Sequence, residues 1–139
     1  IDKSSTDISY KLNKIEKPNY KYWLESSFRY AISDDILLFK SNVFNNNKFI
    51  KCEITNQILT EKEVDIDHYE ISFKTIFDNF ISLNEIKINA ELFHESQDKQ
   101  IIPQLLDSKL NEEFRLYHSS VCKLRAISKS ANRSILKKK

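Results

Sequence analysis

Glycine and methionine are absent from these 139 residues, and only two prolines and two cysteines occur. Without glycine, tight turns must rely on Asn, Asp and Ser, which tolerate left-handed backbone better than most other residues. The thiols of Cys52 and Cys122 are too few for a disulfide framework or a four-cysteine zinc site. We therefore expect both thiols to be reduced. Because the chain begins at Ile1 without a methionine, we expect the native start to lie upstream.

Long apolar runs are missing as well. No segment approaches the ~20 apolar residues needed to cross a bilayer, and no charged-then-apolar leader opens the chain. We therefore expect no membrane association and a cytoplasmic location. The hydrophobic content of 40% and the aromatic content of 12% suffice for one compact domain with a real core.

Charge is unevenly distributed, although the net charge is only +2. Residues 1–52 hold nine basic and six acidic side chains, residues 53–98 hold three and eleven, and residues 99–139 hold ten and three. The basic C-terminal third is suited to contact a polyanion. A solvated surface explains the same charges, so this feature alone does not assign a partner.

The apolar periodicity predicts an α+β fold in three parts. Residues 1–18 are a polar lead-in, residues 19–47 a helical N-terminal extension, and residues 48–139 the core. Within the extension, spacings of three and four from Tyr20 predict one helix, and Ser33 predicts the start of a second. The extension is thus expected to be a helical pair that ends in the turn Asn45–Asn47.

Strand-forming residues then predict a hairpin, with one strand over 49–55, a turn at Asn56 and a return strand over 64–68. Ser72 and Asp107 are expected to cap helices, and residues 84–104 mix an alternating segment with loop. A short apolar strand from Leu124 to Ile127 is expected to lead into a final helix capped by Ser128.

The segment Val64–His68 carries the most informative residues, because its end places the carboxylate of Asp67 beside the imidazole of His68. Hydrolysis of a phosphodiester needs a cation to neutralise the phosphate and a base to deprotonate water. Adjacent residues of a strand point to opposite faces, so the chain must bend at His68 for both to serve one site. An Asp-His pair alone is common and is more often structural.

The segment from Cys122 to Ser134 resembles the closing half of the HNH (ββα-metal) nuclease motif: a Leu-containing strand, then a short helix with an Asn flanked by basic residues. The segment from Lys51 to Asn56 resembles the hairpin entry that bears a Cys-x-x-Cys pair in many members. The order of hairpin, Asp-His, helix, strand and Asn-bearing helix matches from residue 49 to residue 135. The first 48 residues lie outside the resemblance.

The resemblance implies a role for several residues. His68 would be the general base, and Asp67 and Asn132 would hold one divalent cation, Mg²⁺ or Mn²⁺. Near this site, Arg125, Lys129 and Arg133 are suited to bind phosphates, and ordinary solvated charge is the equal alternative.

The chain departs from the family at three places, one of which is that the glycine often found after the metal Asn is absent, with Ile135 in that region. The position of the motif's central Asn is occupied by Lys123. In the family that Asn usually fixes the loop that orients the histidine, so no residue is assigned to this role here. The four positions of the zinc knuckle found in many relatives read Cys52, Thr55, Ser128 and Ala131, so we expect no structural zinc.

Two further histidines have weaker patterns. His118 is expected on the helix before the motif, facing with Phe114 and Val121. We favour a satisfied core histidine over a supporting role, either as a third ligand or in orienting the loop. His94, among acidic residues, is expected at the surface.

The sequence therefore predicts a ββα-metal (HNH) core with an N-terminal helical pair and an extra helix inserted between the Asp-His strand and the Asn-bearing helix. The resemblance implies metal-dependent hydrolysis of DNA, with double-stranded DNA as the expected partner and a homodimer left open. The alternatives are an inactive DNA-binding or assembly module of the same fold, and an RNA-directed or toxin nuclease.

Overall fold

The described residues, 18–94 and 104–138, belong to a computed structural model and form four α-helices and four short β-strands, so the predicted α+β class is confirmed. In chain order the elements are α1 (Tyr20–Phe44), β1 (Ile50–Lys51), β2 (Ile58–Leu59), β3 (Val64–His68), α2 (Phe73–Leu83), α3 (Ser108–Val121), β4 (Leu124–Ser128) and α4 (Lys129–Lys138). Two 3-10 turns cover Glu61–Glu63 and Ala90–Leu92. The predicted lead-in lies almost wholly outside the described residues.

The N-terminal extension is one continuous helix, so the predicted helical pair is wrong. No proline or glycine interrupts α1, and Ser33 Oγ donates to the carbonyl of Tyr30 at 2.7 Å within the helix instead of capping a new one. The first and last residues of α1 agree with the predicted start and end of the helical extension. The side chain of Asn19 caps the first turn, and Asn45 ends the helix in the left-handed region at φ 45°.

The strands pair differently from the predicted hairpin. A turn at Asn56, with φ 63°, brings the chain back at once, so that β1 pairs antiparallel with β2 and not with residues 64–68. Instead, β3 pairs antiparallel with the distant β4, in a register that sets Val64 opposite Ser128 and His68 opposite Leu124. The predicted strand over 49–55 is correspondingly reduced to Ile50–Lys51.

Helix starts follow the local signals in the sequence. Ser72 accepts a hydrogen bond from the backbone of Thr75, Asp107 from that of Lys109, and Ser128 from that of Ala131. Each short side-chain oxygen satisfies an N–H that the first helical turn leaves free. Two α-helices, α2 and α3, therefore lie between β3 and β4; both caps were predicted, although the predicted core counted a single inserted helix. Part of the ambiguous segment, residues 95–103, lies outside the described residues.

The buried apolar side chains form two clusters. The larger joins α1, α2 and α3, and its centre is the stack of Phe28 on Phe114, with ring centroids 4.2 Å apart. The smaller cluster, which includes Phe44, Cys52 and Ile127, lies around the β1–β2 hairpin and the far end of the β3–β4 pair. The β3–β4 pair therefore connects the two. Among the described residues, no helix combines the length and apolar character needed to cross a membrane.

Truncation of the central aromatic ring tests this packing. Phe114 is fully buried and contacts Phe28, Phe73 and Phe80, so Phe114→Ala should lower the free energy of unfolding by about 3–5 kcal/mol. Leu116, two residues away on the same helix, is 62% exposed, and Leu116→Ala should change it by less than about 0.5 kcal/mol. Urea denaturation measures both. Equal losses in the two variants would contradict the assigned core.

Candidate functional site

The end of β3 presents two aspartates on one face of the sheet. Alternation along the strand puts Asp65 and Asp67 on the same side, and Ile66 and His68 on the other. Asp67 lies opposite Arg125 of β4, and the Arg125 Nε donates to Asp67 Oδ2 at 3.0 Å. The side chain of Asp67 is only 8% exposed, so its charge needs this cationic partner.

Asn132 lies on the first turns of α4, as predicted, and faces β3. Its Nδ2 donates to Asp65 Oδ2 at 3.0 Å, and Lys129 binds the other oxygen of the same carboxylate at 3.2 Å. Burial raises the pKa of Asp65, but the hydrogen bonds from Asn132 and Lys129 and the charges of Lys129 and Lys40 leave it below its ordinary value. The carboxylate that Asn132 contacts is therefore that of Asp65.

Sequence reasoning missed Asp65, although its spacing from Asp67 is the signal that finds it. Residues two apart on a strand share a face, and the helix packed on this face contacts Asp65 through Asn132 and Lys129. Because the amide nitrogen of Asn132 is held by Asp65, the amide oxygen is turned away from that carboxylate. Asp65 thus fixes the orientation of the Asn132 amide, as carboxylates behind a metal ligand commonly do.

The oxygens of Asp67 and Asn132 are of the type that a hard cation prefers, but each side chain already has a protein partner. Arg125 engages one oxygen of Asp67, Asp65 engages the nitrogen of Asn132, and Asn132 is not among the residues that line the Asp67–His68 cleft. Within 18–94 and 104–138, no group of three or more His, Cys, Asp or Glu side chains is arranged to hold a metal ion. Two oxygen ligands completed by water and phosphate fit Mg²⁺, whereas zinc needs more nitrogen or sulfur.

His68 shares a cleft with Asp67 despite its position on the other face of the strand. The cleft of about 300 Å³ is lined by both residues together with Arg125 and Ile135. The predicted bend at His68 is wrong, because His68 is still paired in register with Leu124. The backbone bends two residues later, where Glu70 takes a left-handed backbone with φ 65° and the N–H of Ile71 donates to the carbonyl of Tyr69 at 2.7 Å.

Lys123, in the position of the motif's central Asn, holds the bend from β4. Its carbonyl accepts the N–H of Tyr69 at 2.9 Å, and its Nζ forms an ion pair with the Glu70 carboxylate. The ring of Tyr69 also lies under the guanidinium of Arg125, 5.2 Å from the ring centroid. The backbone after His68 is therefore anchored without an asparagine.

His118 is both a core residue and a neighbour of His68. It is 1% exposed, and its Nε2 lies 2.8 Å from Nε2 of His68, a hydrogen-bond distance. Burial, and then the nearby charge of His68, lower the pKa of His118 to about 4. His118 is therefore neutral near pH 7. The predicted core position is confirmed, but the histidine is only partly satisfied: Nε2 contacts His68, whereas the buried Nδ1 has no hydrogen-bond partner among the described residues.

The four knuckle positions converge in space although three of them lack thiols. Cys52 is fully buried, and its sulfur accepts the N–H of Thr55 at 3.4 Å and that of Ser128 at 3.3 Å. The Ser128 hydroxyl in turn accepts the N–H of Ala131. Burial raises the pKa of the Cys52 thiol, but the side-chain hydrogen bond with Thr55 and the backbone N–H groups of Thr55, Ser128 and Ile54 prevail and lower it to about 6.

The basic residues predicted to bind phosphate are found in different settings. Arg125 is tied to Asp67 and lines the cleft, and Lys129 is tied to Asp65. Arg133 is exposed on α4, and His94 is exposed, as expected. Of the three, Arg125 is thus the one whose side chain lies at the Asp67–His68 cleft.

No family model, curated protein or solved structure matches this chain. The residues around β3 are therefore the basis for assigning a function.

Replacing the three missing thiols tests whether the corner around Cys52 has the shape of a zinc knuckle. The variant Thr55→Cys/Ser128→Cys/Ala131→Cys should bind one zinc per chain, because four thiolates at these positions complete a tetrahedral site. Elemental analysis and the visible spectrum of the Co²⁺ form measure the binding. The same variant with Cys52→Ser is the control and should bind more weakly. A triple variant that folds but binds no metal would refute the correspondence.

Proposed function

We propose that this chain is a metal-dependent endonuclease of the HNH (ββα-metal) type that hydrolyses DNA phosphodiester bonds. The observation that carries the proposal is the unit formed by β3, β4 and α4. The two strands pair antiparallel, and β4 continues directly into α4. Asp67 and His68 lie at the end of β3, and Asn132 lies on α4. The contact of Asn132 with Asp65 puts the helix against the aspartate face of β3.

A second line of support is independent of the catalytic residues. Cys52 and Ser128 are 76 positions apart, and they meet with Thr55 and Ala131 where relatives with a zinc knuckle hold their metal. In the structure, hydrogen bonds to the Cys52 sulfur and to the Ser128 hydroxyl connect these positions. The resemblance therefore includes the region around Cys52, which catalysis does not require.

In the proposed reaction, Asp67 and Asn132 would hold the divalent cation through oxygen. When bound, the cation would neutralise charge on the phosphate and on the leaving oxygen. His68 takes the proton from the attacking water, which such a base does with a contribution of roughly 10²–10⁴ to the rate. By the family's pattern, the products carry 5′-phosphate ends.

Arg125 is the residue that we assign to the phosphate beside the cleft. Its guanidinium is held between Asp67 and the ring of Tyr69 and remains 25% exposed. A fixed guanidinium can form two hydrogen bonds to one phosphate. Lys129 and Arg133 on α4 would extend the contact along the backbone, and such contacts position DNA without reading its sequence.

The second candidate is a DNA-binding or assembly module that keeps the fold without the activity. Arg125 favours it, because an arginine bound to Asp67 competes with a cation for that carboxylate. Both candidates predict DNA binding, and only the nuclease predicts cleavage.

Plasmid nicking separates the two candidates. The wild-type chain should nick supercoiled plasmid with Mg²⁺ and lose this activity with EDTA. His68→Ala should lower the rate by about 10²–10⁴-fold, since the base acts on the transition state. His94→Ala, at an exposed histidine, is the matched control. Filter binding should give the same DNA affinity for all three proteins.

Full activity in His68→Ala would remove the nuclease proposal. DNA binding without cleavage by the wild type under Mg²⁺ and Mn²⁺ would favour the second candidate.

A further inference from the structure

The ring of His68 is held on its inner side by two residues from different helices. Nε2 of His118 on α3 lies 2.8 Å from Nε2 of His68, with ring centroids 5.0 Å apart and the planes at 71°. Phe73 of α2 packs against the same ring at 5.8 Å, again close to perpendicular. The His68 ring thus has one polar and one aromatic neighbour where it meets the core.

His118 is itself firmly placed. It is 1% exposed and near the end of α3, where its carbonyl accepts the N–H of Cys122 at 2.8 Å. One turn earlier, Phe114 stacks on Phe28 in the centre of the larger cluster. A side chain held in this way has few rotamers available, and a partner bonded to it is restricted in turn.

The contact between the two rings is a hydrogen bond and not half of a metal site. Two imidazole nitrogens on one tetrahedral zinc at ~2.0 Å would lie roughly 3.3 Å apart. The separation here is 2.8 Å, and the described residues contain no third His, Cys, Asp or Glu that completes a metal-binding group. A proton shared between the nitrogens accounts for the distance.

We propose that His118 is a positioning residue, which fixes the ring of His68 through the Nε2–Nε2 hydrogen bond so that His68 faces the Asp67 cleft. The proposal rests on the nuclease function argued above, since it assigns to His118 the orientation of the general base. His118 does not touch the reacting atoms; it acts through His68.

This role complements the one that Lys123 performs on the backbone. Lys123 anchors Tyr69 and Glu70, the two residues after His68, through its carbonyl and its ammonium. That anchor acts on the path of the backbone. His118 restricts the side-chain torsions of His68 from the core side. Together, Lys123 and His118 orient His68, which is the role of the central Asn in the family motif.

Kinetics of plasmid nicking test the role. His118→Leu fills the space in the core with an apolar side chain and removes the hydrogen bond to His68. We expect kcat to fall on the order of 10–100-fold, because a small misplacement of a catalytic group has effects of this size. KM for plasmid should be unchanged. His118→Gln, which can still bond to His68 Nε2, should recover most of the loss. Phe80→Leu is the control, because it weakens the same core without contacting His68.

Wild-type kcat in a folded His118→Leu variant would overturn the proposal. So would a loss in Phe80→Leu as large as that in His118→Leu, because a merely structural role would then explain both.

A second readout does not depend on cleavage. Nitrogen chemical shifts of the imidazoles should show one defined tautomer for His68 in the wild type and in His118→Gln, and an averaged pair of tautomers in His118→Leu. An unchanged His68 spectrum in His118→Leu overturns the positioning role even if the protein is a nuclease. If the wild type does not cleave DNA, the nuclease function fails, and the spectrum still decides whether His118 orders His68.

Discussion

The pairing of β3 with β4 is the constraint on which the rest of the site depends. It joins residues 64–68 to residues 124–128, and all five pairs of its register are formed. Closing so long a loop costs entropy, and the inserted helices α2 and α3 offset that cost by burying their aromatic faces against α1. A change in register by one residue would turn Asp67 away from Arg125 and His68 away from the core.

The same pairing determines the electrostatics of the aspartate face. Asp67 is nearly buried, and its charge is tolerated because the register sets Arg125 directly opposite it. Since α4 follows β4 without a linker, Lys129 and Asn132 reach Asp65 from the adjoining helix. The site is thus a layer of carboxylates covered by cationic and amide groups.

Local features of this fold were predictable from the sequence, and non-local pairings were not. Ser72, Asp107 and Ser128 cap helices as expected, because a cap depends on a few neighbouring residues. Ser33 shows the limit, since the same short side chain inside an uninterrupted apolar stripe bonds back to its own helix.

The β-pairing and the partners of the site needed the folded chain. A single-sequence pattern marks residues 64–68 as a strand but does not say which strand it joins, and the nearest candidate was wrong. Asp65 was missed because its partner, Asn132, lies 67 positions away in the sequence. The contact of His118 with His68 spans 50 positions, so the sequence predicted the core position of His118 but not this contact. The candidates Asp67, His68 and Asn132 came from the family resemblance, and their roles as ligands and base stay predictions.

The most direct test of this account is whether Asp67 and Asn132 bind the same cation. Mn²⁺ binding, followed by electron paramagnetic resonance, compares the wild type with Asp67→Ala, Asn132→Ala, the double variant and Asp78→Ala, a surface carboxylate paired with Lys21. The account predicts weaker binding in each single variant, little further loss in the double variant, and no change in Asp78→Ala, because ligands of one ion act as a unit. Wild-type Mn²⁺ affinity in Asn132→Ala, or fully additive losses, would contradict it.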